Sequence, residues 1–131
     1  MILEEAGALL EEGRTVSFTP LGNSMLPFIR GGRDSVVLQK KEDVDIGDIV
    51  LVRLPGPRYV LHRVIDRNRN ALLLMGDGNV SGTERCTVAD VMGTAIEIDR
   101  GRRKVKPGKG TVWRLLKPFR RYILAIYRRL V

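Results

Sequence analysis

One serine lies in a sequence context suited to nucleophilic chemistry. Ser24 belongs to the stretch PLGNSMLPFI, where Gly22 and Asn23 precede it and Pro27 follows. Glycine and asparagine tolerate tight turns, whereas proline prevents an ordinary helix. We therefore expect a sharp turn that presents the Ser24 hydroxyl and amide N–H to a groove. That amide, with Asn23, would stabilise an oxyanion.

A serine hydroxyl is a weak nucleophile unless a neighbouring, well-oriented base takes its proton. His62 is the only histidine, and strand alternation in YVLHRVI places it on the same, better-buried face as Val60 and Val64. Asp77 follows the apolar run ALLLM in the motif GDGN, at the lip of the strand expected to adjoin the histidine strand. From there it can reach an imidazole, so the three residues form a candidate catalytic set.

Each of these residues has a commoner structural role when it is taken alone. Ser24 and Asp77 are typical turn residues, and a buried histidine is usually a satisfied core residue. Cys86 is a rival nucleophile, but no motif surrounds it, and a lone cysteine usually behaves as a small hydrophobic residue. With one histidine and one cysteine, no metal-ligand spacing can be assembled. We expect neither a metal nor another cofactor.

The pattern around these residues predicts a mainly antiparallel β domain with a short N-terminal helix. Apolar residues recur at helical spacing over residues 2–12. The predicted strands are short, rich in β-branched residues and separated by Gly, Pro, Asn and Asp. They cover residues 15–20, 35–39, 48–54, 59–65, 71–75 and 92–98. Hairpin loops are expected at LPGPRY and DRNRNA.

Charge divides the chain unevenly. Residues 1–100 hold 12 Lys and Arg against 15 Asp and Glu, whereas residues 101–131 hold 11 basic residues and no acidic one. Three parts are therefore predicted: a β domain over 1–98, a charged linker over 99–110 and a basic amphipathic C-terminal helix over 111–131. No apolar run approaches the ~20 residues that span a bilayer, and the start of the chain is acidic. We expect no leader and no membrane span.

The C-terminal helix allows two interpretations. Its apolar residues fall on one face and most of its basic residues on the other, and Pro118 is expected to kink it or to start its second half. We expect a cytoplasmic protein, since the sequence shows no export signal and its single cysteine cannot form an internal disulfide. The first interpretation is a helix on an anionic membrane surface, which would place the protein peripherally at the inner face of the membrane. Its surface residues would be Trp113, Arg114, Lys117, Phe119, Arg120 and Arg121. The second is that the apolar face packs on the β domain or on a partner. Nucleic acid is not expected, because the body is acidic and lacks a recognition motif.

Four motifs in order carry a family resemblance. GNSMLPFIRGGRDSVVL, DIGDIVLVRL, YVLHRVI and GDGN together resemble the S24/S26 peptidase superfamily of signal peptidases and LexA-like self-cleaving proteins, over roughly residues 14–98. The resemblance implies a LexA/signal-peptidase-like β fold without a cofactor. It also implies a serine peptidase that cleaves a peptide or protein substrate bound in extended form.

The resemblance also implies roles for individual residues. Ser24 corresponds to the nucleophile, and His62 to the base of the Ser-His signal peptidase branch, where bacterial signal peptidases and LexA-like proteins carry a lysine. Asp77, or a nearby acid such as Glu84 or Asp90, would orient the base. Two alternatives remain open: a non-catalytic peptide-binding module of the same fold, and LexA-like self-cleavage.

Overall fold

A computed structural model describes residues 3–79 and 81–130, apart from the side chains of Lys117, Arg128 and Leu130. Ile2 and Val131, at the ends of the two predicted helices, lie outside the described residues. Helix α1 covers Leu3–Glu11. The strands are β1 Val16–Phe18, β2 Ser35–Gln39, β3 Ile49–Leu54, β4 Arg58–Asn68, β5 Ala71–Met75, β6 Glu84–Thr87, β7 Val91–Asp99 and β8 Lys104–Val105. The C-terminal helices are α2 Thr111–Leu115 and α3 Arg120–Leu130.

The strands form one antiparallel sheet of eight strands in the order β1-β2-β7-β3-β4-β5-β6, with β8 also paired to β7. The prediction of a mainly antiparallel β domain is confirmed. Both expected hairpins are present, since β3 pairs with β4 and β4 with β5. In the second hairpin Arg69 has a φ of 56°. The sequence did not predict β6 and β8, which are short and largely polar.

The sheet separates two hydrophobic clusters. Leu61 belongs to the first, together with Leu10 of α1, whereas Val60 and Val64 belong to the second. Alternate residues of β4 therefore face opposite sides of the sheet, as strand geometry requires. Burying a leucine such as Leu10 stabilises the fold by about 2 kcal/mol, so α1 is held mainly by packing.

The C-terminal segment, residues 111–130, packs on the β domain through a third cluster of Leu26, Trp113 and Leu124. Pro118 lies in a 3₁₀ turn, Lys117–Phe119, which interrupts the helix predicted over 111–131 and separates α2 from α3. Within the described residues, no helix combines the length and apolar character needed to cross a bilayer.

The segment 99–110 lies against the domain. Its strand β8 pairs with β7, and the carbonyl of Gly108 accepts a hydrogen bond of 3.1 Å from Arg63. Lys109 forms an ion pair with Asp48. Although burial opposes it, the hydrogen bonds from Lys109, the Asp45 N–H and Lys41 lower the pKa of Asp48. The pairing of β8 with β7 and the contacts of Gly108 and Lys109 therefore fix the point at which the C-terminal helices begin.

Candidate functional site

The turn that carries Ser24 follows β1 after an irregular stretch, residues 19–23, so the serine lies six residues beyond Phe18, the last residue of that strand. The Asn23 carbonyl accepts from Leu26 N–H at 3.2 Å, and the Leu26–Pro27 peptide bond is cis. The amide N–H of Ser24 has no acceptor among the described residues. It is available to a carbonyl oxygen of a bound molecule.

Gly22 contributes space rather than an unusual backbone conformation. A Cβ added at Gly22 would meet nothing within 4 Å, and its φ is not left-handed. The steric requirement lies instead at Gly31, where an added Cβ would lie 2.1 Å from the Gly22 carbonyl oxygen. Close packing of these two backbone segments sets the path of the chain into the serine turn.

His62 is buried in β4, and its ring is held by a carboxylate. Nδ1 of the imidazole forms a hydrogen bond with Oε1 of Glu84, the first residue of β6. A carboxylate only accepts hydrogen bonds, so Nδ1 carries a proton, and in the neutral form of the ring the lone pair is on Nε2. Nε2 faces Gly76, where an added Cβ would lie 3.0 Å from Nε2 and 2.4 Å from the Ser24 carbonyl oxygen.

Ser24 and His62 line one cavity of about 360 Å³. Gly22, Arg58, Tyr59 and several apolar side chains, Phe18 among them, complete its wall. Among the described residues the Ser24 hydroxyl makes no hydrogen bond to the imidazole, an arrangement often seen before a substrate closes the geometry. Ser24, whose amide N–H has no acceptor among the described residues, and a histidine held by a carboxylate thus line the same space, and groups of these kinds are used in acyl transfer.

The motif GDGN holds the serine turn through its backbone. Gly78 N–H donates to the Ser24 carbonyl at 2.7 Å, and an added Cβ at Gly78 would lie 2.6 Å from the Asn23 carbonyl oxygen. With the contact at Gly76, this means that both glycines of the motif are needed so that two backbones can approach closely.

Among the described residues, the Asp77 carboxylate makes no hydrogen bond to the imidazole, contrary to the expectation from the sequence. It pairs with Arg63, the neighbour of His62 in β4, through hydrogen bonds of 2.9 Å from Nε to Oδ1 and 2.7 Å from Nη2 to Oδ2. Both side chains are almost fully buried. Arg63 also donates to the Gly47 carbonyl at 2.8 Å and stacks on Phe28. Adjacent residues of a strand project to opposite faces, so Arg63 lies on the face of β4 opposite to that of His62. The Asp77 carboxylate points to the Arg63 side.

Asp90 and Cys86 lie apart from this arrangement. The Asp90 carboxylate accepts from Thr87 N–H at 2.8 Å and caps a short 3₁₀ turn. Burial, with smaller contributions from Asp90 and Glu84, raises the pKa of the Cys86 thiol to about 11. A thiol of that kind is protonated at neutral pH and is a poor rival to a serine.

In the described part of the chain, no group of three or more His, Cys, Asp or Glu side chains could hold a metal ion.

Two residues predicted for a membrane surface lie instead behind the site. Trp113 is buried, and its Nε1 donates to the Asp77 carbonyl at 2.9 Å. Arg120 is also buried, stacks on Trp113, and donates to the carbonyls of Gly76 and Asn79, each at 3.3 Å. Burial lowers the pKa of Arg120, an effect that Asp77 opposes and Arg63 strengthens. The inner face of the C-terminal segment therefore positions GDGN.

The other predicted surface residues are arranged differently. Arg114 is half-buried, Phe119 and Arg121 are exposed, and the side chain of Lys117 lies outside the described residues. Sequence reasoning missed the role of Arg63 and the inward direction of Arg120, because a basic residue in an amphipathic pattern is normally assigned to the solvent face.

In comparisons with known proteins, no protein-family model matches the chain and no curated protein shows significant similarity to it.

Proposed function

We propose that the chain is a serine endopeptidase of the S24/S26 type, with a signal-peptidase-like β fold. The observation that carries the proposal is that His62, hydrogen-bonded to Glu84 through Nδ1, lines the same cavity as Ser24. A serine or a histidine by itself would not indicate a peptidase. A serine and a histidine on one cavity, with a carboxylate bound to the other ring nitrogen, support the roles of a catalytic triad, which is defined by geometry and roles.

The mechanism follows from the placement of the two ring nitrogens. Ser24 Oγ attacks a peptide carbonyl while His62 Nε2 takes its proton, and Glu84 stabilises the imidazolium that forms. The Ser24 amide N–H stabilises the oxyanion. His62 then protonates the leaving amine. In the second half of the reaction, His62 takes a proton from a water molecule as the water attacks the acyl-enzyme, and then returns the proton to Ser24 as the acid product leaves.

The substrate in this proposal is an extended peptide. Strand β1 is at the end of the sheet, so one of its sides has no partner strand among the described residues. Phe18 of β1 lines the cavity. A peptide added as a strand along β1 would run past Ser24, with main-chain hydrogen bonds supplying affinity.

Self-cleavage is less well supported than cleavage of a separate substrate. The candidate bond for self-cleavage is Ala6–Gly7, in the stretch EAGAL. This bond lies inside α1, and Ala6 is fully buried. An added Cβ at Gly7 would lie only 2.8 Å from Cε of Met92. A bond in this packed helix would have to unfold before it could reach Ser24.

Incubation with a peptide library derived from a proteome digest, read by mass spectrometry, tests the proposal. We expect new termini that appear with the native protein and not with the Ser24→Ala variant. Ser24→Ala is the matched control because it removes one oxygen atom and preserves the cavity. Peptides that co-purify with both forms without being cut would contradict the peptidase and favour the binding module of the same fold.

Gly76→Ala is expected to impair the site without removing any catalytic group. The added methyl would push apart the Ser24 backbone and the imidazole, and displacements of about 1 Å cost roughly 10²-fold in rate. The measurement is the rate at which a fluorophosphonate labels Ser24. Gly22→Ala is the matched control, and we expect a much smaller loss because the added methyl meets no atom within 4 Å. Equal rates for the two variants would show that this contact does not position the serine.

A further inference from the structure

The C-terminal segment has a second apolar face that nothing in the described structure covers. Two of its residues lie in α2 and two in α3, in each helix at the spacing of neighbours on one side, and Phe119 lies in the 3₁₀ turn between the helices. We define this outer stripe as Val112, Leu115, Phe119, Tyr122 and Ile126, whose exposed fractions are 71%, 76%, 59%, 67% and 61%. The inner face, with Trp113, Arg120 and Leu124, is buried against the domain.

We infer that the outer stripe docks on an anionic phospholipid surface. Charge decides among the candidate occupants. Residues 101–131 carry 11 basic and no acidic side chains, so two copies that met through this face would bring like charges together. Nucleic acid would leave five large apolar side chains without a partner. The occupant must therefore accept apolar side chains and attract positive charge. An anionic lipid surface does both, because it accepts apolar side chains at the level of the headgroups and attracts the arginines.

A cavity beside the stripe fits the same partner. It has a volume of about 310 Å³ and is lined by Ile65, Thr111, Arg114, Leu115 and Arg120, with no acidic side chain among them. Leu115 belongs to the outer stripe, so apolar contact and guanidinium groups are presented together. The buried Nε of Arg120 has no hydrogen-bond partner among the described residues. A lipid phosphate above this cavity would meet the partly exposed Arg114, whereas the buried Arg120 forms the inner wall.

The inference differs from the expectation drawn from the sequence in the residues that contact lipid. Trp113 and Arg120 are engaged with the GDGN loop, so they do not enter the membrane. The intrinsic fluorescence of Trp113 should therefore stay unchanged when vesicles are added. In a Tyr122→Trp variant, an indole on the outer stripe should instead give an additional, blue-shifted signal with anionic vesicles.

Vesicle co-sedimentation of the full chain tests the inference independently of any peptidase activity. We expect phosphatidylglycerol-containing vesicles to bind at least about tenfold more tightly than pure phosphatidylcholine vesicles, and added salt to weaken the binding. The double variant Leu115→Ser/Phe119→Ser should weaken binding by about tenfold or more. Arg121→Gln should weaken it by about fivefold.

Matched controls lie outside the C-terminal segment. Ile46→Ser removes a partly exposed apolar side chain, and Arg53→Gln removes an exposed charge. Both should bind vesicles as the native protein does. The inference is overturned if the native protein ignores anionic vesicles, or if the outer-stripe variants bind them normally. It is also overturned if sedimentation shows a vesicle-free dimer that Leu115→Ser/Phe119→Ser dissociates, since a second copy would then cover the stripe.

Discussion

Ser24→Ala and His62→Ala are each expected to lower turnover of a peptide substrate by a factor on the order of 10⁴ to 10⁶, and the double variant is expected to be little worse. The reason is that the nucleophile and its base act as one unit, so the loss of either removes the whole pathway. The measurement is turnover of the best peptide from the library experiment, with fluorophosphonate labelling of His62→Ala as a second readout. Losses that add in free energy would contradict a shared mechanism.

The same assay separates the three candidate acids. Glu84→Gln should cost on the order of 10² to 10⁴, because the amide no longer stabilises the imidazolium and can favour the wrong tautomer. Asp90→Asn is the matched control and should keep nearly native turnover, because Asp90 caps a turn away from the imidazole. Native turnover in Glu84→Gln would remove Glu84 from the catalytic set.

Asp77→Asn is expected to act on stability, with a loss of about 3–5 kcal/mol in the free energy of unfolding. The substitution leaves the fully buried Arg63 guanidinium without its counter-charge. For a domain of this size we expect the melting temperature to fall by roughly 10–20 °C. Thermal unfolding followed by circular dichroism measures this directly.

A matched ion pair on the surface provides the control for Asp77→Asn. Asp43 pairs with Arg67 at 2.6 Å, but the Asp43 side chain is 71% exposed. Asp43→Asn should therefore leave the melting temperature nearly unchanged. Replacing both buried partners, as in Arg63→Met/Asp77→Leu, should recover part of the loss because no unpaired charge remains. An Asp77→Asn variant that melts like the native protein but has lost turnover would return Asp77 to the role of orienting acid.

Much of the fold follows from local pattern. Alternation of apolar and polar residues, with Gly, Pro, Asn and Asp between the runs, is enough to place β2 to β5 and β7 and the two hairpins that join β3, β4 and β5. Ser24 and His62 were also selected from sequence alone, because a turn that presents a serine and a single histidine in a buried strand are both visible locally. The structure places both on one cavity.

The identity of the acid beside His62 was decided only by tertiary structure. Asp77 and Glu84 are both near the end of β5, and which one reaches the ring depends on the pairing of β5 with β6, where Leu74 lies opposite Glu84. A shift of one residue in such a pairing reverses the face to which a side chain points. The competing partner of Asp77 is Arg63, and no spacing rule indicates that an arginine next to the histidine is buried.

The two faces of the C-terminal segment show the same division between sequence and structure. The amphipathic pattern and the excess of basic residues in 101–131 are properties of the sequence. Two adjacent apolar stripes share the same helical period, however, so periodicity alone cannot tell which stripe packs on the domain. The GDGN carbonyls decide it, because they accept hydrogen bonds from Trp113 and Arg120 and so turn one stripe inward.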